Sequence, residues 1–141
     1  MNTSFSKTFE RTFQNRLADL ARVTEEAVQF IQENGIGGQT VYATNLAIEE
    51  MATNILKYGY DDDAVHKIRL RVELSAAHLV VVLEDDGHQF NPLDAPAPDV
   101  SLSAEKREPG GLGICLVRKF AEQMRYERLN GRNRLTITIR R

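Results

Sequence analysis

Residues 67–74 alternate strictly, with Ile68, Leu70, Val72 and Leu74 on one parity and Lys67, Arg69, Arg71 and Glu73 on the other. Successive side chains of a strand point to opposite faces, so this segment reads as a strand with one face on a core and the other in water. After the short Ser75-Ala76-Ala77 turn, Leu79–Leu83 is continuously apolar, as expected of a central strand. A sheet therefore has to be part of the frame of the molecule.

The remaining segments fit that frame. Residues 5–13, with Phe5, Phe9 and Phe13 four apart, read as a strand or an irregular arm. From about Asn15 the apolar positions Leu17, Leu20, Ala21, Ala27, Val28 and Ile31 follow helical spacing, and Asn34-Gly35 supplies the stop. A second helix is expected from about Gln39 to Tyr58, with Val41, Thr44, Ala47, Ile48, Met51 and Ile55 on its apolar arc. Residues 92–109 hold all four prolines and few large apolar side chains, a connection long enough to be functional in a compact domain. A third helix is expected over Leu112–Gln123, followed by a hairpin of Met124–Leu129, the turn Asn130-Gly131 and Asn133–Arg140. Helices and mostly antiparallel strands are segregated along the chain. That order predicts an α+β fold, a two-layer sandwich whose mixed, mostly antiparallel sheet is covered on one face by about three helices. One domain over residues 1–141 is expected.

Composition narrows the function. The formal net charge of −2 gives no footing for a phosphate-backbone binder working by counterion release, so no direct nucleic-acid contact is expected. No apolar run approaches the roughly 20 residues needed to span a bilayer, and the N-terminal residues do not resemble a signal peptide. Cys115 is the single cysteine and cannot close an internal disulfide, which fits a reducing compartment. A cytoplasmic protein is expected. His66, His78 and His88 lack metal-ligand spacing, and no Ser-His-Asp arrangement is apparent.

Three segments carry chemistry. Glu50 and Asn54 lie four apart on the second helix, one above the other at the margin of its apolar arc, with Lys57 and Tyr58 one turn on. A half-buried carboxylate there suits a general base, and an amide oxygen beside it is a hard ligand for Mg²⁺. An incidental pair on a solvated helix edge is the ordinary alternative. Asp86, with Gly87 after it and Phe90 beyond, follows the most apolar strand, so its carboxylate is expected at a sheet end where an adenine amine could be bound. Taken alone, an Asp-Gly turn is more often a plain strand connection without any ligand. Gly110, Gly111, Leu112 and Gly113 lead into the third helix, where bare N–H groups can cradle phosphate. Lys106 and Arg107 stand upstream within reach of a terminal phosphate, or simply in solvent.

Taken together, these segments resemble the N, G1 and G2 boxes of the Bergerat-type (GHKL) ATP-binding fold shared by histidine kinases and type II topoisomerases. Over roughly residues 9–140 the chain looks most like the small anti-sigma-factor serine/threonine kinases of bacterial partner-switching systems. The resemblance implies ATP and Mg²⁺ as cofactors, Glu50 as the base acting on the attacking hydroxyl, and Asn54 as the Mg²⁺ ligand. It implies that Asp86 binds the adenine amine, that Gly111, Leu112 and Gly113 contact phosphates, and that residues 92–109 form the ATP lid. Asn54-Ile-Leu-Lys57-Tyr58 is closer to the histidine-kinase N box, where the Lys and Tyr also touch nucleotide. The implied partners are a small serine-bearing antagonist protein, which is phosphorylated, and a sigma factor or other regulatory protein, which is sequestered. A homodimer through the 67–74 strand and the N-terminal arm is compatible with the pattern. A non-catalytic ATP-gated binding module, a split histidine kinase acting in trans and a plain α+β domain without nucleotide are the other readings.

Overall fold

The computed structural model describes residues 7–94 and 112–141, with nothing stated of the Leu112 side chain. Phe5, Lys106, Arg107, Gly110 and Gly111 lie outside the described residues. The elements are β1 (Lys7–Gln14), α1 (Leu17–Glu33), α2 (Gly38–Tyr58), β2 (Lys67–Leu74), β3 (His78–Asp85), α3 (Leu112–Phe120), β4 (Gln123–Leu129) and β5 (Arg132–Arg140), with a single 3₁₀ turn at Pro92–Asp94. The five strands form one sheet in the order β1-β2-β3-β5-β4. Every pairing in it is antiparallel, so the sheet is not mixed.

The alternation in β2 sets the phase of the whole sheet. Leu70 pairs with Leu83, and Leu83 pairs with Leu135, so one row of inward side chains crosses three strands. Ile68, Leu70, Val72 and Leu74 of β2, Leu79, Val81 and Leu83 of β3, and Leu135, Ile137 and Ile139 of β5 are all buried. Against them pack Ala27 and Ile31 of α1, Ala47, Ile48 and Met51 of α2, and Ile114 and Val117 of α3. Each large aliphatic side chain removed from water here contributes about 1.5–3 kcal/mol, which makes this layer the main source of stability. In β1 the spacing of four between Phe9 and Phe13 puts both on the inward face, and both are buried.

Local signals close the elements. At the end of α1, Gly35 N–H donates to the Gln32 carbonyl and Ile36 N–H to the Ile31 carbonyl, a Schellman stop with Ile36 buried beyond it. Leu17 is exposed rather than buried, because the buried stripe of α1 runs through Leu20, Val23, Thr24, Ala27 and Ile31. The Asn130-Gly131 turn has positive φ at both residues, 54° and 74°, which matches a two-residue hairpin turn to strand twist. Helix α3 is shorter than its sequence pattern, ending at Phe120. There the chain is drawn into the sheet, with Glu122 N–H donating to the Thr138 carbonyl. Among the described residues, no helix is long and apolar enough to cross a membrane.

Candidate functional site

The C-terminal end of β3 is the centre of the site. Asp85 shares the inward parity of Leu79, Val81 and Leu83 and is buried beneath the helices. A small cavity opens beside it. Its apolar lining is Met51, Ile55, Leu83, Phe90, Pro92 and Leu135. Its polar lining is Asn54 from α2, Asp85 from β3, and Tyr126 and Asn133 from the terminal hairpin. Apolar side chains with a few convergent polar groups are the kind of lining that a base with hydrogen-bonding edges would meet.

The carboxylate of Asp85 is held through one oxygen. Its Oδ1 accepts hydrogen bonds from Gly87 N–H at 2.8 Å and from Asn133 Nδ2 at 3.0 Å. None of the described groups donates to Oδ2. Burial pushes the Asp85 carboxyl above its usual range, the two hydrogen bonds oppose this, the neighbouring Asp86 charge adds to it and Arg128 opposes it. A buried carboxylate with one oxygen free is a strong acceptor for an amine.

Asp86, the expected acceptor of the adenine amine, is placed elsewhere. It points to the opposite parity, its side chain is 47% exposed, and it is not part of the cavity lining. Its Oδ1 accepts a hydrogen bond from Tyr60 at 3.3 Å and lies 3.6 Å from His66 Nδ1. Tyr60 stacks on His66 with 3.9 Å between ring centroids, and His66 Nε2 meets Asp62 at 2.7 Å. Burial, then the charges of Asp85 and Asp86, hold the Tyr60 phenol well above its usual range. The Asp62 carboxyl is held down by the His66 hydrogen bond first and by Ala64 N–H second. This cluster anchors the α2–β2 turn to the outside of the β3 turn.

Gly87 is buried and its backbone rests on α2's end. A Cβ there would lie 2.5 Å from the Gly59 carbonyl, which accepts the His88 N–H at 2.8 Å. The close approach is therefore between two backbone segments of the protein. Phe90 lines the cavity although 42% exposed. Asn54 also lines it, and its amide makes no hydrogen bond among the described residues. Lys57 and Tyr58 are exposed and lie outside the lining.

Glu50 is half-buried, one turn before Asn54, and faces the first turn of α3. A Cβ at Gly113 would overlap the Glu50 carboxylate, so the glycine makes the room that Glu50 occupies. Among the described residues, no group of three or more His, Cys, Asp or Glu side chains could hold a metal by itself. Mg²⁺ keeps several waters and takes phosphate oxygens together with one or two protein ligands, so the single free amide oxygen of Asn54 fits it.

Sequence reasoning missed Asp85, Asn133, Tyr126 and Arg128. For Asn133 there was a signal: it is the polar residue that opens the Leu135-Ile137-Ile139 parity of β5, and it faces the core.

The family model of the histidine kinase-like ATPase domain matches residues 13–139. The chain is 27% identical over 97 residues to the serine/threonine-protein kinase BtrW of Bordetella bronchiseptica, covering 69% of this chain and 68% of that protein. It is 24% identical over 125 residues to an anti-sigma F factor of Shouchella clausii, covering 89% and 80%. An anti-sigma F factor of Clostridium novyi is 24% identical over 81 residues, 57% of each chain.

Proposed function

The chain belongs to the histidine kinase-like ATPase domain family, and from that premise we propose that it is an ATP- and Mg²⁺-dependent protein serine/threonine kinase that also restrains a regulatory partner. In this reading Asp85 accepts the exocyclic amine of adenine while Met51, Ile55 and Phe90 enclose the ring. Asn54 contributes the protein's oxygen ligand to Mg²⁺, which neutralises phosphate charge when bound. Glu50 takes the proton of the attacking hydroxyl. The first turn of α3, at Gly113, receives the phosphates. Phosphoryl transfer asks mainly for positioning and charge neutralisation, so this small set of groups is sufficient.

The observation that carries the proposal is the reach of one face of α2. Asn54 lines the cavity that contains Asp85, and Glu50, one turn away, meets α3 at Gly113. A nucleotide with its base at Asp85 and its phosphates at α3 would lie along that face. The names of the relatives support the finer reading: one is a serine/threonine-protein kinase and two are anti-sigma F factors. A serine-bearing protein is thus the proposed phosphoryl acceptor, and a sigma factor or comparable regulator the restrained partner.

Calorimetry with ATP, with and without Mg²⁺, followed by γ-phosphate transfer to a small serine-bearing protein from the same genome, tests this. Mg²⁺-dependent binding and transfer are expected. Binding without transfer to any such protein would leave an ATP-gated binding module, and no binding at all would sink the proposal.

A further inference from the structure

The hydrogen-bond arrangement around Asn133 leads beyond the ligand contacts. Asn133 is the cross-strand partner of both Asp85 on β3 and Arg128 on β4, so the three stand in one row across the sheet. Its amide is saturated. Nδ2 donates to Asp85 Oδ1 at 3.0 Å and to the His88 carbonyl at 2.8 Å. Oδ1 accepts from the Tyr126 hydroxyl and from Arg128 at 3.0 Å. The same Arg128 nitrogen donates to the Gly87 carbonyl at 2.8 Å.

These partners fix the orientation of the amide. A flipped Asn133 would set its carbonyl against a carboxylate and a carbonyl, and its NH₂ against a guanidinium that can only donate. Nδ2 must therefore face Asp85. That hydrogen bond, with the one from Gly87 N–H, occupies Oδ1 and leaves Oδ2 without a donor among the described residues.

We propose that Asn133, held by Tyr126 and Arg128, is a positioning residue that sets the Asp85 carboxylate for recognition of a 6-aminopurine. Asn133 acts through Asp85, so its effect follows the amine of the base and not the ring or the phosphates. The inference rests on the reading of Asp85 as the adenine ligand.

The test compares ATP with purine riboside triphosphate, which lacks only the 6-amino group, by calorimetry on the full chain. The wild type should prefer ATP by about tenfold or more, the range of one hydrogen bond to a charged group. Asn133→Leu should erase most of that preference by weakening ATP much more than the analogue. Without the amide's hydrogen bond the Asp85 carboxyl titrates higher, so the pH below which ATP binding fades should move up in the variant. Tyr126→Phe, which removes only the hydroxyl holding Asn133, should shift the preference in the same direction and less. It carries the test alone if Asn133→Leu does not fold. Equal loss of both nucleotides in the variants, or an unchanged preference, would overturn the proposal. A wild type that prefers neither nucleotide removes the Asp85 reading itself, and one that binds neither removes the nucleotide site, with this proposal in both cases.

Discussion

The two ends of the α2 face are built differently. At the β3 end, Asp85, Gly87, His88, Asn133 and Arg128 are joined by a continuous set of hydrogen bonds, and Gly59 ties the same turn to α2. At the α3 end, Glu50 is seated against Gly113 by shape, and no described group hydrogen-bonds its carboxylate. One end is preorganised before any ligand arrives, as suits recognition. The other keeps its carboxylate uncommitted, as suits a group that must accept a proton.

This contrast can be broken by substitution, and the largest effect is expected at the uncommitted end. Glu50→Ala should lower phosphoryl transfer by about 10²–10⁴-fold, the usual contribution of a general base, with ATP affinity within about threefold of wild type by calorimetry. Equal losses in binding and transfer would assign Glu50 to the pocket instead.

Gly113→Ala probes the same end by crowding. Its methyl group would displace the Glu50 carboxylate, so transfer should fall by about tenfold or more. The atoms in the way belong to a flexible, half-buried side chain, so stability should change by less than about 1 kcal/mol, readable by urea denaturation. Unchanged transfer would mean that Glu50 need not sit where it does.

A smaller effect sharpens the recognition end. Burial raises the folded-state pKa of Asp85, so the folded protein holds this proton to higher pH than the unfolded chain does. The resulting stability is complete below the ordinary carboxylate range and is lost as pH rises through the raised value. Asp85→Asn, whose amide oxygen can still accept from Gly87 and Asn133, should therefore melt higher than the wild type at neutral pH. That advantage should shrink as the pH falls below the carboxylate range. A variant less stable than wild type at pH 7 would show that the charge is well compensated. Smallest of all, Tyr60→Phe removes one long hydrogen bond to a half-exposed Asp86 and should change stability by less than about 1 kcal/mol.

The sequence made the frame legible and hid the floor of the site. Alternation in 67–74, the Asn34-Gly35 stop and the Asn130-Gly131 turn each describe a local preference, and the fold keeps them. Glu50 and Asn54 were readable because helical spacing alone puts them on one face. Asp85 was not, because β3 is apolar on both parities. Val80 and Val82 are buried at 8% and 4% exposure although they point away from the Leu79-Val81-Leu83 face. A strand apolar on both faces has no visible phase, so two consecutive aspartates at its end cannot be told apart. The phase comes from pairing, Leu70 with Leu83, and then Asp85 falls inward and Asp86 outward. Asn133 shows the same limit: the Asn130-Gly131 hairpin sets Arg128 beside it, but Asp85 becomes its neighbour only when β5 pairs with β3.

ATP affinity measured side by side for Asp85→Asn and Asp86→Asn tests the central assignment most directly. The account requires a loss of about tenfold or more for Asp85→Asn, where an acceptor is replaced by a group that also donates. It requires a change under about twofold for Asp86→Asn, which lies outside the cavity. The reverse order, with Asp86 the sensitive position, would contradict the placement of the base and with it the direction in which the nucleotide lies along α2.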